Sequence, residues 1–297
     1  MSWLVSQTAD GNSVEALRKM LSSGDTVVAP GTFNALVALA ARRAGFTAGY
    51  FSGAAFSASL GLPDVGLFTL DELTTAVRWV VRASGLPLIV DGDTGFGEAL
   101  NVARTIRELE AAGAAAVHLE DQEMPKRCGH LDGKTLVSPS SMVEKVRAAV
   151  AARQCLLVIA RTDARGVEGL DAAVARARLY KEAGADVIFP EGLESEAEFL
   201  SFAQQVDGML LANMTEFGKT PYISAERFRE LGYQIVIFPV TTLRVAVHAV
   251  EGVLAEIKEK GTQAAWLDRM QTREELYDLI EYDRYGDLGR SVARDSG

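Results

Sequence analysis

The 297-residue chain has only two cysteines, Cys128 and Cys155, and three histidines. That scarcity fits a reducing, cytoplasmic setting, and no His/Cys set has the spacing of a zinc site. Positive charge is also in short supply. A formal net charge of -10 argues against a nucleic-acid surface, which needs a basic face, so a local basic cluster is better aimed at a small anion. No apolar run approaches the roughly 18 residues of a membrane span, so no membrane partner is expected. The N-terminal Met1-Ser2-Trp3-Leu4-Val5 lacks the basic-then-apolar pattern of a leader, and no linker or low-complexity segment breaks the chain. With 48% hydrophobic and 24% charged residues, the composition predicts one domain over 1–297 around a large core, with a helical extension from about 244 to 297.

One unit repeats along the chain. Short apolar, β-branched segments ending in polar residues or glycine lie at 26–31, 49–54, 86–93, 115–121, 156–163, 186–192, 208–216 and 234–240. Amphipathic stretches lie between them. In 101–112, Val102, Ile106 and Leu109 recur at helical spacing while Arg104, Arg107 and Glu108 take the other face. Strands apolar along their length need cover on both faces, and eight such βα units predict a closed (β/α)8 TIM barrel. The stretch from Arg244 to Ile257 is apolar on more than one stripe, which predicts a helix buried against both its own barrel and a neighbouring subunit.

In such barrels chemistry sits at the C-terminal strand ends, and here those ends are loaded: Tyr50-Phe51-Ser52-Gly53, Asp91-Gly92-Asp93, Glu120-Asp121, Arg161-Thr162-Asp163, Glu191, Asn213-Met214-Thr215-Glu216, and Arg244 after Pro239. Asp91 and Asp93, two apart on one strand, offer hard oxygens of the kind Mg²⁺ takes, with Glu120 nearby; the plainer alternative is an Asx turn. After Glu120 comes Lys126-Arg127-Cys128-Gly129-His130. Lys126, Arg127 and His130 form the local basic cluster, and such cations predict a thiol of lowered pKa at Cys128. The segment from Gln122 to Ser138 is long for a compact domain and reads as a lid or binding loop, with a surface thiol or redox sensor as the alternative. Cys155 opens an apolar strand and reads as core. His118, within an apolar strand, and His248, on a helix, read as structural. Neither Gly129 to Thr135 nor Gly92, Gly95 and Gly97 has the spacing of a nucleotide-binding loop.

Lys126 to His130, taken with Asp91-Gly92-Asp93-Thr94-Gly95-Phe96-Gly97, Glu120-Asp121-Gln122 and Asn213-Met214-Thr215-Glu216-Phe217-Gly218, resembles the isocitrate lyase and phosphoenolpyruvate mutase superfamily almost end to end. The short chain, Arg127 and the tail from Met270 to Tyr277 are similar to its branch acting on 2-methylisocitrate. The resemblance implies a Mg²⁺-dependent carbon–carbon lyase (Mn²⁺ as substitute) acting on a small di- or tricarboxylate, with release of pyruvate and succinate. It also implies a homotetramer, a dimer of dimers that swaps the helix after the eighth strand. Cleavage of 2,3-dimethylmalate or oxaloacetate on the same site is the nearest alternative, and a non-catalytic redox-sensing barrel a remote one. Carried onto matching positions, Asp91 would ligate the metal, with Asp64, Asp93 and Glu120 holding its waters. Tyr50, Ser52, Gly53, Ala54 and Arg161 would bind the pyruvate end. Glu191, Asn213 and Thr215 would line the pocket. Gly129, His130, Asn213 and Arg244 would meet the succinate carboxylates, with Lys126 and Arg127 beside them. Cys128 would act as general acid, and Tyr50 or a metal-side carboxylate would take the first proton.

Overall fold

The computed structural model describes residues 13–294, so the N-terminal pentapeptide lies outside the described residues. Eight parallel strands form in the expected segments: β1 Val27–Pro30, β2 Gly49–Phe51, β3 Leu88–Asp91, β4 Ala116–Glu120, β5 Leu157–Thr162, β6 Val187–Pro190, β7 Met209–Asn213 and β8 Ile235–Phe238. They pair in the order β1-β8-β7-β6-β5-β4-β3-β2. Between β1 and β2 the ring is joined by a parallel bridge from Gly31 to Tyr50, with the Thr32 amide donating to the Tyr50 carbonyl at 2.7 Å. Helices follow the strands, as a TIM barrel requires.

Every residue of β3, β4, β5 and β6 is buried, because the inner face fills the barrel and the outer face lies under helices. The helix Leu70–Ser84 shows how the sequence builds that cover. Thr69 and Glu72 form a reciprocal capping box at its start, and Gly85 ends it in the left-handed conformation. Leu73, Val77 and Val80 form the buried face between. Each such side chain stabilises the fold by about 1.5–3 kcal/mol, so a charge at Val77 would undo the packing. The helix Ala99–Ala111 likewise buries Val102, Ile106 and Leu109.

The helix Thr241–Lys260 after β8 departs from the expectation. None of its residues is buried, and Val245, Val250 and Leu254 are 67%, 52% and 57% exposed. Only its first turn meets its own barrel, where the Thr242 hydroxyl donates to the Gly31 carbonyl at 2.7 Å and Arg244 lies 3.7 Å from Glu216; further along, Gly252 lies against the Trp266 ring. Beyond it, Arg273–Leu279 folds back near the helix Ala35–Arg43, where Arg42 approaches Glu281 at 3.5 Å. Among the described residues no helix is long and apolar enough to cross a membrane.

Candidate active site

Strand register gathers the polar side chains. Asp91 pairs with His118, and Glu120 pairs with Arg161, which pairs in turn with Phe189. Partners across a ladder share a face, so Asp91, His118, Glu120 and Arg161 turn into the barrel while Val117 and Leu119 turn out under the helices. Together with residues from the loops above, they surround a cavity of about 100 Å³ at the C-terminal mouth. Larger hollows of about 720 and 680 Å³ lie among the C-terminal helices, and neither touches a strand end.

One wall of the mouth is acidic. The Asp91 carboxylate accepts from the amides of Gly53 at 3.0 Å and Asp93 at 3.1 Å. A Cβ at position 53 would stand 2.9 Å from Asp91 Oδ2, which is why glycine occupies it. Asp93 is not a strand residue as expected: β3 ends at Asp91, and Asp93 sits in the turn with φ +47°, an uncommon conformation for a non-glycine residue. Lys126 reaches down from the loop to pair with Asp64 and, at 2.8 Å, with Asp93. Burial pushes Asp93 and Glu120 up, and neighbouring carboxylates push the same way against Lys126 and Arg161. Burial also opposes ionisation of Asp91, but nearby cations and the Asp93 amide outweigh it and hold its carboxyl at about 2. Of those cations we credit Lys126 and Arg161, because burial holds His118 at about 4 and so neutral at pH 7. Asp93 Oδ1 has Lys126, and Glu120 Oε2 lies 3.2 Å from Arg161 Nη1, but Asp93 Oδ2 and Glu120 Oε1 are buried without a partner. Four carboxylates therefore share one ammonium and one guanidinium, an arrangement that fits a bound cation.

His118 Nε2 lies 2.7 Å from the Tyr50 hydroxyl and 3.3 Å from Asp91 Oδ1. An ionised Asp91 favours the tautomer with hydrogen on Nε2, which makes Tyr50 the acceptor and frees its own proton to point elsewhere. Burial and the Asp91 charge push the Tyr50 phenol well up, so it rests protonated.

The other wall carries the thiol. The segment after β4 leaves the barrel at Asp121 and returns at Ser138, pinned by a bridge from Gln122 to Leu136. The Gln122 side chain exchanges two hydrogen bonds with the Arg127 backbone, at 2.8 and 2.9 Å. Gly129 lies directly on the barrel residues: a Cβ there would stand 2.3 Å from Glu191 Cγ and 2.7 Å from Arg161 Nη2. Cys128 faces the cavity. Burial pushes its thiol up, as do Glu191 and Asp64, against the His130 amide and Arg161. The expected lowering is thus reversed. Lys126 is spent on Asp64 and Asp93, and Arg127 is exposed, directed to the Asp132 carbonyl, so neither cation serves the sulfur.

Glu191 joins the walls. It accepts from Asn213 Nδ2 at 3.1 Å and lies 3.6 Å from Arg161 Nη1 and 3.1 Å from His130 Nε2. Burial opposes its charge, but Arg161, His130 and Asn213 outweigh it and hold the carboxyl far down. The Lys219 amide donates to His130 Nδ1 at 3.1 Å, so the loop after β7 clasps the Cys128 loop. Arg244 sits at the rim over the Phe217 ring, 5.1 Å from its centroid.

Of the expected site residues, Tyr50, Ser52, Ala54, Asp64, Asp91, Lys126, Cys128, Gly129, His130, Arg161, Glu191, Asn213, Thr215 and Arg244 line the cavity. Asp93 and Glu120 stand behind the acidic wall, Gly53 binds Asp91, and Arg127 is not brought in. Sequence reasoning read His118 as structural and named Asp163 at its strand end without giving it a role. The parity of His118 with Glu120 along β4 was the available signal. Asp163 holds Arg161 through two bonds, 2.9 Å from Nε and 3.1 Å from Nη2. Cys155 is a correction: it is exposed, not core, because the amides of Gln154, Cys155 and Leu156 wrap the Glu110 carboxylate before β5 begins.

Comparison with known proteins gives this geometry relatives. The family profile for phosphoenolpyruvate phosphomutase matches residues 17–258. A 2-methylisocitrate lyase of Aeropyrum pernix is 59% identical over 278 residues, covering 94% of this chain and 90% of its own. The crystal structure of a 2,3-dimethylmalate lyase, a PEP mutase/isocitrate lyase superfamily member, matches with a TM-score of 0.90 at 38% identity, covering 95% of this chain and 96% of that one. A phosphonopyruvate hydrolase in complex with oxalate and Mg²⁺ matches with a TM-score of 0.85 at 32% identity, covering 93% and 97%. The eight-stranded barrel, its acidic mouth and these matches together place the chain in the phosphoenolpyruvate phosphomutase family, within the PEP mutase/isocitrate lyase superfamily.

Proposed function

We propose that the chain is a carbon–carbon lyase that cleaves 2-methylisocitrate to pyruvate and succinate with Mg²⁺. The observation that carries this reading is the pairing of two unlike walls across one small cavity: buried carboxylates on one side, a protonated thiol on the other. The similarity to 2-methylisocitrate lyase supports the substrate, and the Mg²⁺ in the related hydrolase supports the ion.

The donor set suits a hydrated hard cation. Among the described residues no three His, Cys, Asp or Glu side chains converge on one point, which disfavours a zinc-like chelate and suits an ion that keeps its waters. Asp91 would hold it directly, with Asp64, Asp93 and Glu120 on its waters; Mn²⁺ would substitute. When bound, the cation supplies Lewis acidity that eases ionisation of the 2-hydroxyl near neutral pH.

The protein's own residues carry the rest. Asp163 fixes the Arg161 guanidinium at the cavity wall, where it binds the carboxylate of the pyruvate end. The hydroxyl proton passes to an acidic-wall carboxylate rather than to Tyr50, which rests as a phenol and serves as a donor. As the carbon–carbon bond breaks, its electron pair stays on the succinate carbon, stabilised through the adjoining carboxylate by His130, Asn213 and Arg244. The Cys128 Sγ–H then delivers its proton to that carbon. A thiol pushed up suits a proton donor and opposes the redox-sensor alternative, which needs thiolate character. Helix Thr241–Lys260, with its exposed Val245, Val250 and Leu254, is read as the surface through which copies exchange helices into a dimer of dimers.

The test is a substrate panel with Mg²⁺ that follows release of pyruvate, or of oxalate for oxaloacetate. The expected order puts 2-methylisocitrate first in kcat/KM, above 2,3-dimethylmalate and oxaloacetate. Preference for either of the latter would overturn the substrate assignment.

A further inference from the structure

Lys134 is buried in the Cys128 loop, and no step above uses its charge. Its ammonium donates to Asp163 Oδ1 at 2.9 Å and to the Gly129 carbonyl oxygen. Asp163 is the carboxylate that grips Arg161, and it is held rigidly, because its amide donates to Asp121 Oδ1 at 2.9 Å while Thr162 and Tyr180 hold Asp121 Oδ2 at 2.7 and 2.8 Å. Gly129, whose carbonyl Lys134 grips, packs on Arg161 and Glu191 and adjoins Cys128. One carboxylate thus couples the guanidinium at the cavity wall to the peptide beside the thiol.

Taking an ammonium out of water is costly, and the cost is recovered only against well-placed acceptors. The Gly129 carbonyl belongs to the loop and moves with it, whereas Asp163 belongs to the barrel, so the ion pair exists only while the loop lies on the barrel; when it lifts, the ammonium returns to water and Asp163 keeps Arg161. We propose that Lys134 is the latch of this loop, a positioning residue that seats Cys128 over the cavity through Asp163 and Gly129. The proposal rests on the reading of Cys128 as the proton donor.

The test is alkylation of Cys128 by iodoacetamide in the ligand-free protein, with exposed Cys155 as internal control. In Lys134→Met, Cys128 should react about tenfold to hundredfold faster, as expected for loss of a charge-assisted hydrogen bond, while Cys155 reacts at its wild-type rate. The same variant should lose kcat on 2-methylisocitrate with little change in KM. Should Lys134→Met fail to fold, the wild type still decides. After partial acetylation with acetic anhydride and iodoacetamide treatment, trypsin cleavage after Arg127 leaves Cys128 and Lys134 on one peptide. Peptides acetylated at Lys134 should be alkylated at Cys128 about tenfold more often than the rest. Equal Cys128 rates in wild type and Lys134→Met, or independent labelling of the two residues, would overturn the latch. Because accessibility needs no turnover, Lys134-dependent labelling in a chain that cleaves no 2-methylisocitrate would sink the functional reading and keep the latch.

Discussion

The barrel mouth and the helix Thr241–Lys260 break the usual burial rule in opposite directions. At the mouth Asp91, Asp93, Glu120, Lys126, Arg161 and Glu191 are all buried; on the helix Val245, Val250 and Leu254 are each more than half exposed. Charged groups are rarely buried unless paired, and contiguous apolar surface is rarely left to water. Each region is complementary to something other than its own chain. The mouth suits a cation and a polycarboxylate, and the helix suits protein.

The hardest blow to this contrast comes at the mouth. Asp91→Ala should fold with a melting temperature near wild type yet lose about 10³-fold or more in kcat, as removal of several kcal/mol of metal-assisted stabilisation requires. EDTA should do the same to the wild type, and Mg²⁺ or Mn²⁺ should reverse it. Full turnover in chelator would remove the metal from the account. On the helix, Val250→Asp with Leu254→Asp should convert an oligomer into a monomer by light scattering at micromolar concentration, since each apolar side chain buried at an interface contributes about 1.5–3 kcal/mol. A wild type that is already monomeric would leave the exposed stripe without its proposed role.

Two pH experiments sharpen the comparison. Because burial and nearby carboxylates raise the Cys128 thiol, and an acid acts only while it holds its proton, kcat should stay level up to the ordinary thiol pKa of about 8.5 and fall only above it. A fall that begins well below that pH would mean a lowered thiol. The smaller effect belongs to His118, held at about 4 by burial against an ordinary 6.5. The unfolded chain binds this proton first, so stability is full above pH 6.5 and declines as pH falls toward 4, by up to about 3 kcal/mol. Because the raised Asp93 and Glu120 carboxyls pull total stability the other way over the same range, NMR titration of the His118 ring checks its share; a midpoint near the ordinary 6.5 would contradict the neutral, buried imidazole.

Much of the mouth was legible because strand ends are where a barrel must put its chemistry, and the polar residues after each apolar segment stand out from sequence alone. What was illegible is side-chain direction in the loops. Lys126 and Arg127 adjoin Cys128 in sequence, yet one turns in to Asp64 and Asp93 and the other out to solvent, so the sign of the thiol shift followed from tertiary partners. Cys155 misled for a related reason, since its apolar neighbours are strand residues while its own position is a turn around Glu110. His118 hid among apolar residues because an inward-facing strand position looks the same whether it meets core or cavity. Lys134 and Asp163 meet only because the loop doubles back, and no local spacing announces that.

Delivery of a proton from Cys128 to the carbanion is read out by kcat of Cys128→Ser on 2-methylisocitrate. A loss of about 10²- to 10⁴-fold with little change in KM is expected, as for a general acid used only in the transition state. Near-normal turnover by Cys128→Ser would contradict it.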